Sequence, residues 1–136
     1  MNKVNFKQSI KAGATAAVVA SAINAVLFFV FQASGILVDS VFVQPNQPLT
    51  IVPVIISSVL PTLIASMVFF LIEKYTDAGF KIFTIIAIVL GLFSLSSPFM
   101  AIANVPTDYA IVLDVMHVTV VVALLFFINK EVNSKK

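Results

Sequence analysis

The chain has 136 residues, of which 60% are hydrophobic and only 10% charged, and its mean hydropathy is +1.11. A soluble domain carries about 25% charged residues, so the composition excludes one and predicts an integral membrane protein. The absence of cysteine excludes disulfides, thiolate metal sites and Cys nucleophiles. A net charge of +2 without any arginine argues against nucleic acid as a partner.

Lys3, Lys7 and Lys11 precede the first apolar stretch, residues 12–33. The apolar core of a signal peptide has about 7–15 residues, whereas this one runs to roughly 20, the length of a spanning helix, so it is read as a retained span. Within it Gly13, Ala17, Ser21 and Ala25 fall at four-residue steps, and Ala16, Ala20 and Asn24 form an adjoining ridge. Helices in lipid associate through small residues of this kind. The ridge accepts either another helix of the chain or a second copy, so a homo-oligomer through span one is one of two expected arrangements.

Residues 34–50 form the one connection with room for structure. Ile36–Val43 is apolar and β-branched, and Gln44-Pro45-Asn46-Gln47-Pro48 is rich in turn formers. Either the segment folds over the outer mouth of the bundle, or span one runs longer and the rest is loop. Span two covers residues 51–72, with Pro53 in its first turn, where a missing N–H costs little. Lys74 and Lys81 flank the next loop; span three covers 82–101, span four 110–128, and Lys130, Lys135 and Lys136 follow.

Each stretch must satisfy its own backbone in lipid and is therefore helical. Continuous apolarity over about twice the length of a barrel strand excludes a β-barrel. The expected fold is an all-α membrane protein, a single four-transmembrane-helix bundle over residues 1–136, embedded in the lipid bilayer. An even number of spans puts all 8 lysines on one side, opposite Asp39 and Asp108. The positive-inside rule then places the N- and C-termini in the cytoplasm. Val68-Phe69-Phe70-Leu71-Ile72 near the end of span two echoes Leu125-Phe126-Phe127-Ile128 near the end of span four, which raises an internal duplication as one reading.

The polar residues inside the spans gather at one depth. Asp114 and His117 are three apart on span four; span one offers Asn24, span two Ser57 and Thr62 around Pro61, span three Ser94 and Ser97 before Pro98. At about 1.5 Å per residue, Asp114 lies about 6 Å and His117 about 10 Å below the outer end of span four. Ionisable residues in a membrane usually face the bundle interior or a wet cavity. The expectation is a polar pocket, open to the outside, lined by Asp114, His117, Asn24, Ser57, Thr62, Ser94 and Ser97. Pro61 and Pro98 loosen the backbone ladders at the same level, so that freed carbonyls line it too.

There is no phosphate-binding glycine loop, and a single His with a single Asp falls short of a metal set. No nucleophile motif surrounds any serine, so neither a cofactor, a metal nor catalysis is expected. Gly91-Leu92-Phe93-Ser94-Leu95-Ser96-Ser97-Pro98 and Leu113-Asp114-Val115-Met116-His117-Val118-Thr119-Val120 resemble an uncharacterised bacterial family of small four-span membrane proteins. That family is catalogued as a domain of unknown function, with a Met-His pair at the start of the last span. The resemblance rests on Ser94, Pro98, Met116 and His117; it implies a bacterial inner (cytoplasmic) membrane protein and supplies no activity. The expected function is to bind or pass a small solute or proton through the polar pocket. The alternative is a non-catalytic structural or accessory subunit whose polar residues serve helix packing.

Overall fold

The computed structural model describes residues 3–135. In chain order it has α1 (Phe6–Ala33), a two-stranded hairpin of β1 (Phe42–Gln44) and β2 (Gln47–Pro48), α2 (Ile51–Tyr75), α3 (Gly79–Ser94), the short α4 (Ser97–Ala101) and α5 (Thr107–Asn133). Four helical stretches are long and apolar enough to cross a membrane: Phe6–Ala33, Ile51–Tyr75, Gly79–Ala101 and Thr107–Asn133. They run past the windows read from hydropathy because an apolar window marks the hydrocarbon slab, while the helix continues to its caps. At the start of α1 the Gln8 amide donates to Asn5 Oδ1 (3.0 Å) and the Asn5 amide to Gln8 Oε1 (3.1 Å), a reciprocal capping box.

The third stretch is not continuous. α3 stops at Ser94, four residues before Pro98, and α4 begins at Ser97. A proline has no N–H for the carbonyl four residues back, and its ring crowds that carbonyl; here that carbonyl belongs to Ser94. Pro61 removes the same donor from Ser57, yet α2 runs through it unbroken.

The small-residue face of α1 is covered by α2 and α5 of the same chain. Ser9, Ala12, Gly13, Ala16, Ala17, Ala20 and Asn24 are buried, and Ala16 and Ala20 meet Ala123 of α5. Gly13 marks the tightest approach, since a Cβ there would stand 2.5 Å from Ser66 Cβ on α2. The Ser9 hydroxyl donates to the carbonyl of Ser66 beside it. Ser21 and Ala25, the outer members of the predicted ridge, are only half-buried.

The segment after α1 closes one end of the bundle. Gly35, at φ +79°, turns the chain out of α1, with its amide on Gln32 O (3.1 Å) and the Ile36 amide on Phe31 O (3.1 Å), the pattern of a left-handed helix end. Leu37 and Val41 then bury against Phe28, Val54, Tyr109 and Met116. Of the two readings of residues 34–50, the structure has the one that folds over the bundle. Pro45 and Asn46 form the hairpin turn, Asn46 at φ +59°, the order a type II turn asks for.

Both ends of the described chain lie at the opposite end. Val4 packs in one cluster with Ala12, Phe69, Phe83, Leu124 and Ile128, against which Val132 rests. Lys3 reaches the turn between α2 and α3, donating to Thr76 O (3.0 Å) and pairing with Asp77 (3.3 Å). The echoing Phe pairs do not play matching parts. Phe69 is fully buried, whereas Phe126, its counterpart in the echo, is 62% exposed.

Candidate functional site

α3 stands apart from the rest. Its buried residues are Gly79 and Phe83, both at the end nearer the termini, where Phe83 meets the Phe69 ring edge-on at 5.3 Å. Farther along, Gly91 lies against α5, where an added Cβ would be 3.2 Å from Val121 Cγ2. Between these contacts α2 and α3 leave a side-open cavity of about 590 Å³ with α5 as its floor. Ala65, Val68, Phe83, Ala87 and Leu124 line one end, and Ser57, Ser94 and His117 stand at the other.

The hydrogen bonds at the polar end all run in one sense. His117 Nδ1 is 2.7 Å from the carbonyl of Leu113. A carbonyl can only accept, so Nδ1 donates a proton here, and in the neutral ring Nε2 is the nitrogen left with a free lone pair. Ser57 Oγ donates to Val54 O (3.1 Å), Thr62 Oγ1 to Ser58 O (2.6 Å) and Ser94 Oγ to Gly91 O (2.6 Å). Each hydroxyl is thus engaged by its own helix, the usual habit of Ser and Thr in helical spans. Ser57 and Ser94 are also the two residues whose carbonyls lose a ladder donor to Pro61 and Pro98.

The predicted pocket residues do not share one space. Ser57, Thr62, Ser94 and His117 line the cavity between α2, α3 and α5. Asp114 instead lines a second groove, of about 610 Å³, with Val19 and Ile23 of α1, Leu95 and Thr119. The end of α3 contributes Gly91 and Ser94 to the first space, and Leu95, the residue that caps it, lines the second, so the two ionisable side chains sit on either side of it. Asp114 Oδ1 is buried without a hydrogen-bond partner among the described residues.

Asn24 is enclosed at 2% exposure. Its amide donates to Ser58 Oγ (2.9 Å) and to Met116 O (3.2 Å), which ties α1 to both α2 and α5. Ser97 is exposed at the start of α4 and lines neither space. No group of His, Cys, Asp and Glu among the described residues could hold a metal.

Most of the cavity wall was invisible to a search for polar residues. Ala65, Ala87 and Gly91 matter because they are small and leave room, and nothing in their local pattern distinguishes them from packing residues. Gly91 alone carried a hint, as a glycine inside an apolar helix commonly marks a close approach.

No curated protein and no solved structure matches the chain. Residues 5–134, nearly the whole length, match the family of unknown function DUF6069. The chain is a small multi-span membrane protein that belongs to the DUF6069 family.

Proposed function

We propose that this protein, set in a bacterial inner membrane with both termini in the cytoplasm, binds an apolar molecule drawn sideways from the bilayer, without acting on it as an enzyme. The observation that carries the reading is the side-open cavity of about 590 Å³ between α2, α3 and α5, apolar along most of its length and polar only at Ser57, Thr62, Ser94 and His117. Pockets of roughly 300–1,000 Å³ lined by apolar groups with a few placed polar ones are the usual form of small-molecule sites. Exposed Ile64, Val68, Ile86 and Leu90 border this cavity, so its opening faces the surface that lipid covers.

Passage of a hydrated solute or proton is less well supported. The far half, walled by Ala65, Val68, Phe83, Ala87 and Leu124, offers no polar group to continue a path. A role in helix packing suits Asn24 and Ser58, whose contacts bridge helices. A second copy does not enter this reading, because α2 and α5 already cover the small ridge of α1.

The chain has no tryptophan, so Ile86→Trp places its one tryptophan, excited apart from the two tyrosines, on the cavity wall. In phosphatidylcholine nanodiscs, bromododecane should quench it saturably, and Ala87→Phe should fill the cavity and weaken that quenching about tenfold. Quenching that rises linearly with probe and ignores Ala87→Phe would refute the reading.

A further inference from the structure

We infer that the occupant of this cavity is a single-headed amphiphile whose head donates a hydrogen bond, an alcohol or a protonated amine, and not a carboxylate or phosphate; the inference rests on the proposed binding role. Each polar side chain lining the cavity is one of Ser57, Thr62, Ser94 and His117. Each has its proton engaged by a backbone carbonyl of its own helix. Thr62 is fully buried, so what is turned toward the cavity is the lone pairs of two hydroxyl oxygens, those of Ser57 and Ser94, and of Nε2 in the neutral His117 ring. Pro61 and Pro98 bring no N–H to this level, and the other backbone amides of α2, α3 and α5 are held in helical ladders. The polar end accepts and does not donate.

A carboxylate or phosphate head would meet acceptors with acceptors, and would give up its hydration for nothing in return. It would find no compensating cation among the described residues. Every described lysine lies at or beyond the ends of the spans: Lys3, Lys7 and Lys11 in the first residues, Lys74 and Lys81 at the turn between α2 and α3, and Lys130 and Lys135 at the far end of α5. All of these belong to the end of the bundle opposite Ser57, Ser94 and His117. Asp114, the nearest formal charge along α5, lines the other groove and offers this cavity no cation either. A hydroxyl or ammonium is accepted by such a site; an anion finds no donor in it.

The apolar remainder fixes the shape of the body. From Ser57 to Val68 along α2, the cavity runs about 16 Å at a helical rise of 1.5 Å per residue. Beyond Ser57 and the buried Thr62, both walls along that stretch are aliphatic except for Phe83. An unbranched chain of about the length of a dodecyl group lies along it with its head at His117.

Four probes of one chain length, each brominated at the tail end, separate the possibilities in the Ile86→Trp protein: dodecane, dodecanol, dodecylamine and dodecanoate, with affinities taken relative to the concentration of each in the bilayer. Dodecanol and dodecylamine should bind roughly tenfold more tightly than dodecane, the worth of one to two well-formed hydrogen bonds. Dodecanoate should bind no better than dodecane. His117→Phe should remove the advantage of the donors while keeping dodecane binding, which also shows that the variant is folded.

The chain has a single histidine, so ring-labelled ¹⁵N spectra give a second readout without substitution. Nδ1 should carry the proton, and the Nε2 resonance should move upfield when dodecanol is added. If all four probes bind alike and Ala87→Phe blocks them, the binding role stands and the head assignment falls. A preference for dodecanoate, or an Nε2 protonated in the empty protein, also overturns the head assignment. If no probe quenches saturably, both fall.

Discussion

Adding one methyl group to Gly13 tests the packing on which the whole bundle depends. In Gly13→Ala the new Cβ would stand 2.5 Å from Ser66 Cβ, whereas carbon atoms settle at about 3.5–4.0 Å. α1 and α2 must therefore part by about 1 Å at their tightest crossing. The parting strains the buried hydrogen bond from Ser9 to the Ser66 carbonyl and loosens Ala12, Ala16 and Ala17 together. Overpacking of this kind costs about 1–3 kcal/mol, and loss of the hydrogen bond adds about 1 kcal/mol. Adding Ser66→Gly takes away the atoms in the way. The Ser66 hydroxyl bonds only to Leu63 O of its own helix, so its removal breaks no hydrogen bond between helices, and the glycine itself costs about 1 kcal/mol in helix propensity. Reversible unfolding in mixed micelles of rising SDS content should give Gly13→Ala a loss of about 2–3 kcal/mol and the double variant about 1 kcal/mol. A single variant within about 0.5 kcal/mol of the parent, or a double variant no better than the single, would refute this geometry.

Two smaller changes probe other joints. Asn24→Leu removes two hydrogen bonds between helices, each worth about 0.6 kcal/mol in membranes, and relieves the buried, unpartnered Oδ1. The net loss in the same SDS titration should be about 1 kcal/mol, and Ser58→Ala in the Asn24→Leu background should add little. Gly35→Ala places a side chain at φ +79° with no atom within 4 Å to obstruct it. Its cost is the left-handed backbone alone, about 1–2 kcal/mol, and should show as faster proteolysis within residues 36–49.

The spans and their helical character were legible because hydrocarbon imposes one crude requirement, about 20 apolar residues with internally satisfied backbone. That Ser57, Ser94 and His117 stand at one level of the bundle was legible because rise per residue is fixed. Their direction around each helix was not. Asp114 and His117 are three residues apart, which places them on one broad face yet about 60° apart around the axis. The end of α3 falls into that interval, and one predicted pocket becomes two spaces. No sequence pattern on α5 says where another helix will lean. Asn24 was placed correctly toward protein by the small residues around it, but its partners, Ser58 Oγ and the Met116 carbonyl, lie on helices whose rotation the pattern leaves open. Pro61 and Pro98 read alike as residues that loosen the ladder, yet span three breaks before Pro98 while α2 passes through Pro61 intact, so the same residue type gave two outcomes.

The chemistry of the cavity follows from where it opens. In water, an apolar ligand gains about 25 cal/mol for each Å² it hides, and hydrocarbon contact alone can secure it. In a bilayer that gain has already been made, because lipid tails are as apolar as leucine. A dodecyl chain moving from lipid into the space between Ala65, Val68, Phe83, Ala87 and Leu124 exchanges one hydrocarbon environment for another. Shape fit contributes to retention, but discrimination between molecules with the same chain must come from the head. At the polar end, that means the lone pairs of Ser57, Ser94 and His117. On the proposed reading His117 has the largest share, because Nε2 of its neutral ring is the strongest acceptor there and its orientation is fixed by the 2.7 Å bond to Leu113 O. A side-open cavity in a membrane is thus governed by its few polar atoms to a degree that the same cavity in a soluble protein would not be.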